Sequence, residues 1–318
     1  MLPKRCPLEP IGYGYLGKPN QHVPGRKHTL TPFSIIIPLY NSAVTLPATL
    51  DSIAAQEFKD LELICIDGAS TDATLKILDV FKIAHPELPI TVLSEPDKGI
   101  YDAMNKGIAI AKGNWLYFMG GDDTFESDQV LSKVYQVTNQ SDADLVHGNV
   151  TGVVSGNVYN DNILSKVLFR GIHHQGIFYK KRVFNYTGGY DLRFKIAADY
   201  HLTLKAFLNK AFKTQYADII IAYFGEAGLS SQRYDWVFYS YHYRLLATHN
   251  AANTTSDESL KCLNDSIYCC FQLAKQKQSL PFAWQNMLFY TFDKNGLPPG
   301  TKVRNLLRMA YWTFRPNA

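Results

Sequence analysis

The sequence predicts an α/β fold: a central, mostly parallel sheet flanked by helices, followed by a helical C-terminal extension. Three observations indicate it. Short apolar runs at 33–38, 61–66 and 115–119 have the length of strands and are apolar on both faces, as is typical of central parallel strands. Helix-like segments alternate with such runs, which favours right-handed β-α-β connections. After residue 230 the pattern becomes almost wholly helical.

The composition fits a folded chain with a large core. Of 318 residues, 46% are hydrophobic, and the net charge is only +4, which does not indicate a nucleic-acid partner. Five cysteines without paired or metal-ligand spacing favour a reducing compartment. No apolar run approaches the roughly 20 residues of a membrane helix, and no secretory signal pattern is visible. We therefore expect a cytoplasmic protein, either soluble or peripheral to the inner face of the plasma membrane.

The first half of the chain alternates strands and helices. We predict, in order, strand 33–38, helix 42–56, strand 61–66, helix 72–84, strand 90–93, helix 100–111, strand 115–119, helix 127–137 and strand 143–147. Asn41 or Ser42 is placed to cap the first helix and Ser70 the second, because such side chains accept hydrogen bonds from first-turn amides. Gly113 is placed to end the third helix.

The second half begins irregularly and ends in helices. We predict a hairpin over 150–159, strand 176–179, helix 197–208, strand 215–224, and helices 234–248, 256–275, 281–292 and 301–314. The chain is thus predicted to comprise an irregular N-terminal arm (1–30), an α/β domain (31–230) and a helical C-terminal region (231–318).

Carboxylates follow several of the predicted strands. Asp67 ends the second strand, Asp97 follows the third, and Asp122 and Asp123 follow the fourth behind two glycines. Ligands of open α/β sheets bind at the carboxyl ends of strands, so we expect these side chains on one rim, with Asp199 from a later helix. Converging carboxylates repel each other unless a cation neutralises them. Mg²⁺ takes one or two protein carboxylates and completes its shell with water and phosphates, which indicates a diphosphate ligand.

Four segments carry a resemblance to a known family. They are 35–41 (IIIPLYN), 66–72 (IDGASTD), 95–107 (EPDKGIYDAMNKG) and 121–123 (GDD). In this order and spacing they resemble the motif series of family 2 glycosyltransferases of the GT-A fold, the nucleotide-diphospho-sugar transferase fold. The similarity covers about residues 33–230. The third segment is most similar to bacterial enzymes of exopolysaccharide and colanic-acid-type assembly.

The resemblance implies a set of donor-binding residues. They are Pro38, Tyr40, Asn41, Asp67, Ser70, Asp97 and Asp102. By this resemblance the first three border the nucleotide base, Asp67 binds the base or ribose in a loop shaped by Ser70, and the last two line the donor pocket.

The resemblance also implies a metal site and a general base. Asp122 and Asp123 stand at the family's DxD-type site, where Asp123 would bind Mg²⁺ or Mn²⁺ and Asp122 the ribose or a metal-bound water. Asp199 matches the aspartate of the family's Glu-Asp motif, the general base. Ala198 replaces the glutamate of that motif, which puts in doubt any role of the first acid but keeps the base.

Simpler interpretations of these residues stay open. Asp122 and Asp123 are also placed to cap the next helix, and Asp199 lies in a first helical turn, where a carboxylate favours the helix dipole. His174 and Gln175 match a His-Gln pair that the family often has close to the sugar or acceptor. Ligand contact and plain core packing are equal alternatives for them. As a zinc site this histidine cluster lacks partners at the right spacing.

The predicted function is inverting, metal-dependent transfer of a sugar from a nucleotide-diphospho-sugar to a hydroxyl of a saccharide or lipid-linked acceptor. The resemblance implies a role in bacterial surface polysaccharide biosynthesis. Two alternatives stay open: a non-catalytic nucleotide-sugar-binding or scaffold protein, and a sugar-1-phosphate nucleotidyltransferase. The second normally has a glycine-rich, basic N-terminal loop, and the segment after Ile37 lacks one.

The last predicted helix is amphipathic and basic. Its apolar residues follow helical spacing, its arginines are expected largely on the opposite face, and residues 300–318 contain no acid. Such a helix can lie on an anionic membrane, or it can pack on its own domain with a solvated basic face. Both alternatives stay open, and the sequence does not define an oligomeric state.

Overall fold

A computed structural model describes residues 32–160, 162–226, 234–252 and 256–315; the predicted N-terminal arm lies outside them. The strands are β1 (Phe33–Leu39), β2 (Leu61–Asp67), β3 (Ile90–Ser94), β4 (Trp115–Phe118), β5 (Thr124–Phe125), β6 (Leu145–Gly152), β7 (Val158–Tyr159), β8 (Ile177–Lys180) and β9 (Thr214–Phe224). The helices are α1 (Leu46–Ala54), α2 (Thr74–Ala84), α3 (Ile100–Ile110), α4 (Val130–Gln140), α5 (Leu164–Phe169), α6 (Arg182–Thr187), α7 (Ala198–Leu208), α8 (Trp236–Thr248), α9 (Asp257–Gln276), α10 (Leu280–Phe292) and α11 (Pro299–Phe314).

The strands form one sheet in the order β3-β2-β1-β4-β8-β6-β9-β5, with β7 paired to β6. The first four strands pair in parallel, as the sequence predicts. Beyond β4 the sheet is mixed, because β8 runs antiparallel to both of its neighbours while β6 and β9 are parallel. The predicted hairpin over 150–159 corresponds to the antiparallel pairing of β6 with β7.

Strand β1 lies at the centre of the core, and all seven of its residues are buried. Ile36 faces a hydrophobic cluster that includes α3 and the C-terminal helices. Ile35 and Ile37 face a second cluster that includes α1 and α2. Because helices cover both faces of the sheet, this strand has no solvent-exposed face, which explains why six of its seven residues are apolar.

The helix caps predicted at Asn41, Ser42 and Ser70 are wrong. Helix α1 begins later, at Leu46, and Asn41 adopts a left-handed backbone conformation with φ of 51°. The Ser70 hydroxyl accepts a hydrogen bond from the Asn41 amide at 2.8 Å instead of capping α2. These polar side chains join two loops to each other, a long-range use that local capping rules do not anticipate.

The C-terminal helices α8–α11 pack on one face of the sheet. Phe238 of α8 and Leu263 of α9 belong to the same buried cluster as Ile36 of β1 and Tyr200 of α7. The helical region therefore shares its core with the α/β part, although its treatment as a separate domain remains a prediction. Within the described ranges, no helix has both the length and the hydropathy that crossing a bilayer requires.

Gly113 has a different role from the predicted helix stop. Helix α3 ends at Ile110, and Ala111 already leaves it with an extended ψ of 135°. Gly113 instead lies against β1, where its amide donates to the Ser34 hydroxyl at 2.8 Å. A Cβ at this position would lie 2.5 Å from the Ser34 nitrogen and 2.7 Å from the Phe33 carbonyl carbon. The backbone of β1 therefore leaves no room for a side chain here.

We predict that Gly113→Ala destabilises the fold by about 1–3 kcal/mol, because the new methyl meets backbone atoms that cannot rotate away. The measurement is the urea unfolding midpoint. Gly300→Ala is the matched control, since a Cβ there meets no atom within 4 Å and alanine suits a helix. An unchanged midpoint for Gly113→Ala would contradict the close approach described above.

Candidate active site

Asp67 lies buried at the carboxyl end of β2, held by the register of three parallel strands. Asp67 is paired with Leu39 of β1 on one side and Ser94 of β3 on the other. The Ser94 hydroxyl donates to Asp67 Oδ2 at 2.6 Å, and the Ser70 amide donates to the same oxygen at 3.1 Å. These donors stabilise the carboxylate in a fixed orientation.

The loop after β1 forms an exposed edge beside Asp67. Pro38 is buried within the strand, whereas Tyr40 is 66% exposed. Asn41 Oδ1 accepts from the Thr71 amide at 2.8 Å, and Ser70 binds the Asn41 amide in return. Of the predicted base-binding residues, Tyr40 is the one whose ring is available to a ligand, while Asn41 and Ser70 fix the two loops.

Asp97 and Asp102 have different surroundings. The Asp97 carboxylate lies directly over Gly68, because a Cβ on that glycine would be 2.5 Å from Asp97 Oδ2. Asp97 therefore adjoins Asp67 at the strand end, as predicted. Asp102 Oδ2 instead accepts from the Lys98 amide at 3.0 Å and lies 3.9 Å from Lys106 Nζ. These contacts belong to the start of helix α3.

The adjacent acids Asp122 and Asp123 differ in exposure. Asp123 is 1% exposed and accepts the Gly120 amide at 2.7 Å and the Gly225 amide at 3.1 Å, one on each oxygen. Asp122 is exposed, and its carboxylate packs against Gly225, where a Cβ would come within 2.1 Å of Oδ2. Neither acid caps α4, whose N-cap residue is Gln129 without a side-chain cap. The capping alternative is therefore wrong.

Asp199 is held between two side chains from distant parts of the chain. The Tyr101 hydroxyl of α3 lies 3.0 Å from Asp199 Oδ1, and His174 Nδ1 lies 3.2 Å from Oδ2. The Tyr200 amide also donates to Oδ1 at 2.8 Å. The side chains of His174 and Asp199 remain 17% and 23% exposed. The Asp199 carboxylate is therefore partly accessible and has a fixed orientation.

The electrostatics of this cluster connect Asp199 to the acidic pair. Burial raises the pKa of Asp199, but the hydrogen bond and charge of His174 outweigh it, and the pKa lies below its ordinary value. Burial lowers the pKa of His174, but Asp199, and then Asp123 and Asp122, raise it to a net value above the ordinary one. Burial and the charge of Asp122 raise the pKa of Asp123. The base candidate and the acidic pair thus share one electrostatic environment.

Gln175 contributes to this region through its backbone. The Tyr117 hydroxyl donates to the Gln175 carbonyl at 2.8 Å, which ties the short 3₁₀ turn His174–Gly176 to β4. His174 faces Asp199, as described above, so plain core packing is not its role. The two halves of the predicted His-Gln pair therefore differ: the histidine side chain lies in the site, and the glutamine orients the turn that carries it.

Three further residues contact the predicted site, and the sequence assigned none of them these contacts. Ser94 ends β3, so the strand-end rule that selects Asp67 could have selected it too. Tyr101 lies inside the 95–107 segment, but nothing in the sequence indicates its distant partner. Gly225 begins a segment, 225–231, that resembles a glycine- and serine-containing segment of the family. Closure over the site and an ordinary connection are both open for it, and its residues 227–231 lie outside the described ranges. Gly225 itself donates its amide to Asp123.

The acidic pair suits a hard cation that keeps most of its shell for water and substrate. Each oxygen of Asp123 has one amide donor and therefore a lone pair left, and Asp122 is exposed. Burial and then the charge of Asp122 raise the pKa of Asp123, and the charge of His174 and the two amide hydrogen bonds only partly offset them. In the parts of the chain that the structure describes, no cluster of three or more ligating side chains forms an all-protein cage. This donor set fits Mg²⁺ or Mn²⁺ with one or two carboxylate ligands.

The fold is the GT-A fold. The crystal structure of S. aureus TarS 1-349 in complex with UDP superposes with a TM-score of 0.59 at 17% identity, over 89% of each chain. At this level of identity, the likeness shows a common fold. The predicted fold class is therefore confirmed.

Sequence comparison identifies the family. The profile of Glycosyl transferase family 2 matches residues 34–215, and the chain belongs to this family. A PGL/p-HBAD biosynthesis glycosyltransferase of Mycobacterium tuberculosis is 40% identical over 202 residues, which are 62% of this chain and 77% of the relative. A poly(ribitol-phosphate) beta-glucosyltransferase of Bacillus spizizenii is 32% identical over 122 residues, 38% of this chain and 19% of the relative.

The protein is therefore a glycosyltransferase with relatives in polysaccharide and cell-surface glycan biosynthesis. This confirms the predicted family and enzyme class, and it does not support the scaffold or nucleotidyltransferase alternatives. The roles of individual site residues remain predictions.

We predict that the His174–Asp199 pair stabilises the fold in a limited pH window. Ionised Asp199 adds to the free energy of unfolding above its ordinary pKa of about 3.8. This addition is lost as the pH falls through the lowered pKa that Asp199 has in the folded protein. Protonated His174 adds to the free energy of unfolding below its ordinary pKa of about 6.5. This addition is lost as the pH rises through the raised pKa that His174 has in the folded protein. The pair therefore contributes most between about pH 4 and pH 6.5.

Melting temperatures of wild type and His174→Asn, measured in EDTA, test this window. We expect a difference of roughly 2–3 °C near pH 6 that shrinks towards pH 9. His85→Asn is the matched control, because His85 pairs with Glu87 at 3.3 Å but both are more exposed. A difference that does not change with pH would contradict the pairing.

Proposed function

We propose that the protein transfers a sugar from a nucleotide-diphospho-sugar, with inversion at the anomeric carbon, to a hydroxyl of a saccharide or lipid-linked acceptor. The proposed setting is bacterial surface polysaccharide biosynthesis at the cytoplasmic side of the membrane. The observation that carries the proposal is Asp199, a carboxylate held by Tyr101 and His174 beside the acidic pair. Family membership and the cell-surface glycan relatives support the reaction class.

We assign the donor to the rim formed by β1, β2 and β3. Asp67, which Ser94 and Ser70 hold in place, would accept hydrogen bonds from the base or ribose. Tyr40 offers an exposed ring to the base, and Asp97 lies beside Asp67 over Gly68. The TarS structures in complex with UDP and UDP-GlcNAc support a nucleotide-sugar as the class of donor. The contacts of Asp102 at the start of α3 favour a positioning role for it.

We assign the acidic pair to Mg²⁺ or Mn²⁺. Asp123, with its remaining lone pairs, and the exposed Asp122 would hold the ion, which neutralises charge on the leaving nucleoside diphosphate. Asp122 has the freer carboxylate, so it is also available to a ribose hydroxyl. The Gly225 amide fixes the orientation of Asp123 from the end of β9.

Asp199 would receive the proton of the acceptor hydroxyl. Its lowered pKa keeps it ionised at neutral pH but makes it a weak base. Such a base removes the proton late, when the attacking oxygen is already bonding to the anomeric carbon and its hydrogen has become acidic. The Tyr101 and His174 contacts leave the carboxylate partly exposed and hold it towards one direction of approach.

We predict that Asp199→Asn lowers the transfer rate by at least about 10²-fold, because the amide cannot accept the proton. Donor affinity is expected to stay within about twofold, since Asp199 lies on the acceptor side in this assignment. The measurements are nucleoside diphosphate release with acceptor, and thermal shift with a panel of nucleotide-sugars.

Asp191→Asn is the control for this substitution. Asp191 lies on the loop before α7 and forms its ion pair with Arg193, outside the assigned machinery. We expect transfer near the wild-type rate. An Asp199→Asn enzyme with near-wild-type turnover would remove the base assignment.

We predict that EDTA abolishes transfer and that added Mg²⁺ or Mn²⁺ restores it, because the diphosphate leaving group needs charge neutralisation. A second readout is independent of activity: Mn²⁺ is expected to raise the melting temperature of wild type but not of Asp123→Asn. The control is dialysis without chelator. Full turnover in EDTA, or an equal Mn²⁺ shift in the variant, would exclude the assigned cation site.

A further inference from the structure

Helix α11 presents a line of large apolar side chains to solvent. The outer stripe consists of Val303, Leu307, Tyr311 and Phe314, which are 57%, 68%, 55% and 80% exposed. Their spacing of four, four and three residues keeps them on one side of a helix over about 16 Å. A surface helix normally directs its apolar side chains inward, so an exposed line of four needs an explanation.

The opposite side of α11 is firmly attached to the protein. Met309 is completely buried in the main core cluster. Trp284 Nε1 of α10 donates to the Thr313 hydroxyl at 3.1 Å, and Lys302 Nζ donates to the Asp293 carbonyl at 2.6 Å. The helix therefore packs on its own domain with exposed arginines, which agrees with one of the two alternatives drawn from the sequence. In addition, it has a second apolar side that is exposed.

Basic side chains border the outer stripe. Arg304, Arg308 and Arg315 are exposed, and each directly follows a member of the stripe in the sequence. The Arg308 guanidinium lies 4.6 Å from the Phe271 ring of α9, and that of Arg315 lies 5.7 Å from the Tyr311 ring. Long basic side chains beside apolar ones suit a water–lipid boundary, because their aliphatic stems lie on the apolar surface while their charges reach outward.

The charge of the chain is concentrated in this region. Residues 266–318 contain a single acid, Asp293, and seven basic residues: Lys275, Lys277, Lys294, Lys302, Arg304, Arg308 and Arg315. Their net charge is +6, whereas residues 1–265 carry 25 basic and 27 acidic residues and a net charge of −2. The end of α9 together with α10 and α11 thus carries a net positive charge, whereas the rest of the chain is slightly negative.

We propose that the outer stripe of α11 is a docking surface for an anionic lipid bilayer. The apolar side chains would enter the boundary between headgroups and acyl chains, and the flanking arginines would bind lipid phosphates. The aromatic rings of Tyr311 and Phe314 lie near the C-terminal end of the helix, where Lys277 Nζ fixes the carbonyls of Trp312 and Thr313 at 2.6 and 2.8 Å. The surface is therefore preformed before it meets a membrane.

The same charge argues against a second copy of this chain as the occupant. Two copies that paired through the outer stripe would bring two surfaces of net positive charge together. Like charges that face each other oppose association, whereas an anionic leaflet attracts basic groups that lie close to it.

Lipid binding by this surface does not depend on the assigned catalytic roles, because it is measured without donor or acceptor.

Flotation of the full chain with vesicles tests the proposal. One set of vesicles is pure phosphatidylcholine, and the other contains about one third phosphatidylglycerol, an anionic lipid. We expect binding to the anionic set, with weakening as salt is added. The triple variant Leu307→Ser/Tyr311→Ser/Phe314→Ser should bind at least about tenfold more weakly, and Arg304→Gln about fivefold more weakly.

Val80→Ser/Ile83→Ser on helix α2 is the matched control, because these apolar side chains are 60% and 81% exposed away from the basic end. It should bind anionic vesicles like wild type. The single variant Phe314→Ser provides the test if the triple variant does not fold. Absence of wild-type binding to anionic vesicles, or equal binding by the stripe variants, would overturn the proposal. So would a dimer in light scattering that the triple variant abolishes without any vesicle binding, since the occupant would then be a second copy.

Discussion

The parallel pairing of β1 with β2 and β4 is the constraint on which the site depends. This pairing aligns Leu39 with Asp67 and, through β3, Asp67 with Ser94, so that the carboxylate meets its hydroxyl donor at the strand end. A shift of β2 by one residue would turn Asp67 away from both Leu39 and Ser94. The two apolar faces of β2 oppose such a shift, because Ile64 and Ile66 would have to exchange hydrophobic clusters with Leu63 and Cys65.

Helix α3 joins the donor side of the site to the proposed base. Its Tyr101 contacts Asp199 of α7, and the Tyr101 ring stacks on Tyr190 with 5.3 Å between the ring centroids. Asn105, one turn further along, exchanges hydrogen bonds of 2.7 and 2.9 Å with the backbone of Tyr190. A single helix thus positions the loop before α7 as well as the carboxylate at its start. The 95–107 segment therefore has a structural role besides the part in donor binding that we propose for it.

Much of the fold could be predicted because its signals are local. Apolar runs such as 33–38 and strand-end acids such as Asp67 are properties of a few consecutive residues, and they identify the strands and one rim of the sheet. The caps at Asn41 and Ser70 were mispredicted because both residues bond across loops. The antiparallel insertion of β8 between β4 and β6 was not predicted, because strand order is set by long-range packing. The contacts of Tyr101 with Asp199 and of Gly225 with Asp123 were not foreseen for the same reason.

The contact between Asp123 and Gly225 has a consequence for how the enzyme matures. The two residues are 102 positions apart, and Tyr101 and Asp199 are 98 apart. Contacts of such high sequence separation carry a large loop-closure entropy and tend to form late in folding. In a partly folded chain, β1, β2 and Asp67 are therefore expected to be in place before the carboxylates Asp123 and Asp199 have acquired their partners. The residues to which we assign the donor would thus assemble before the proposed general base.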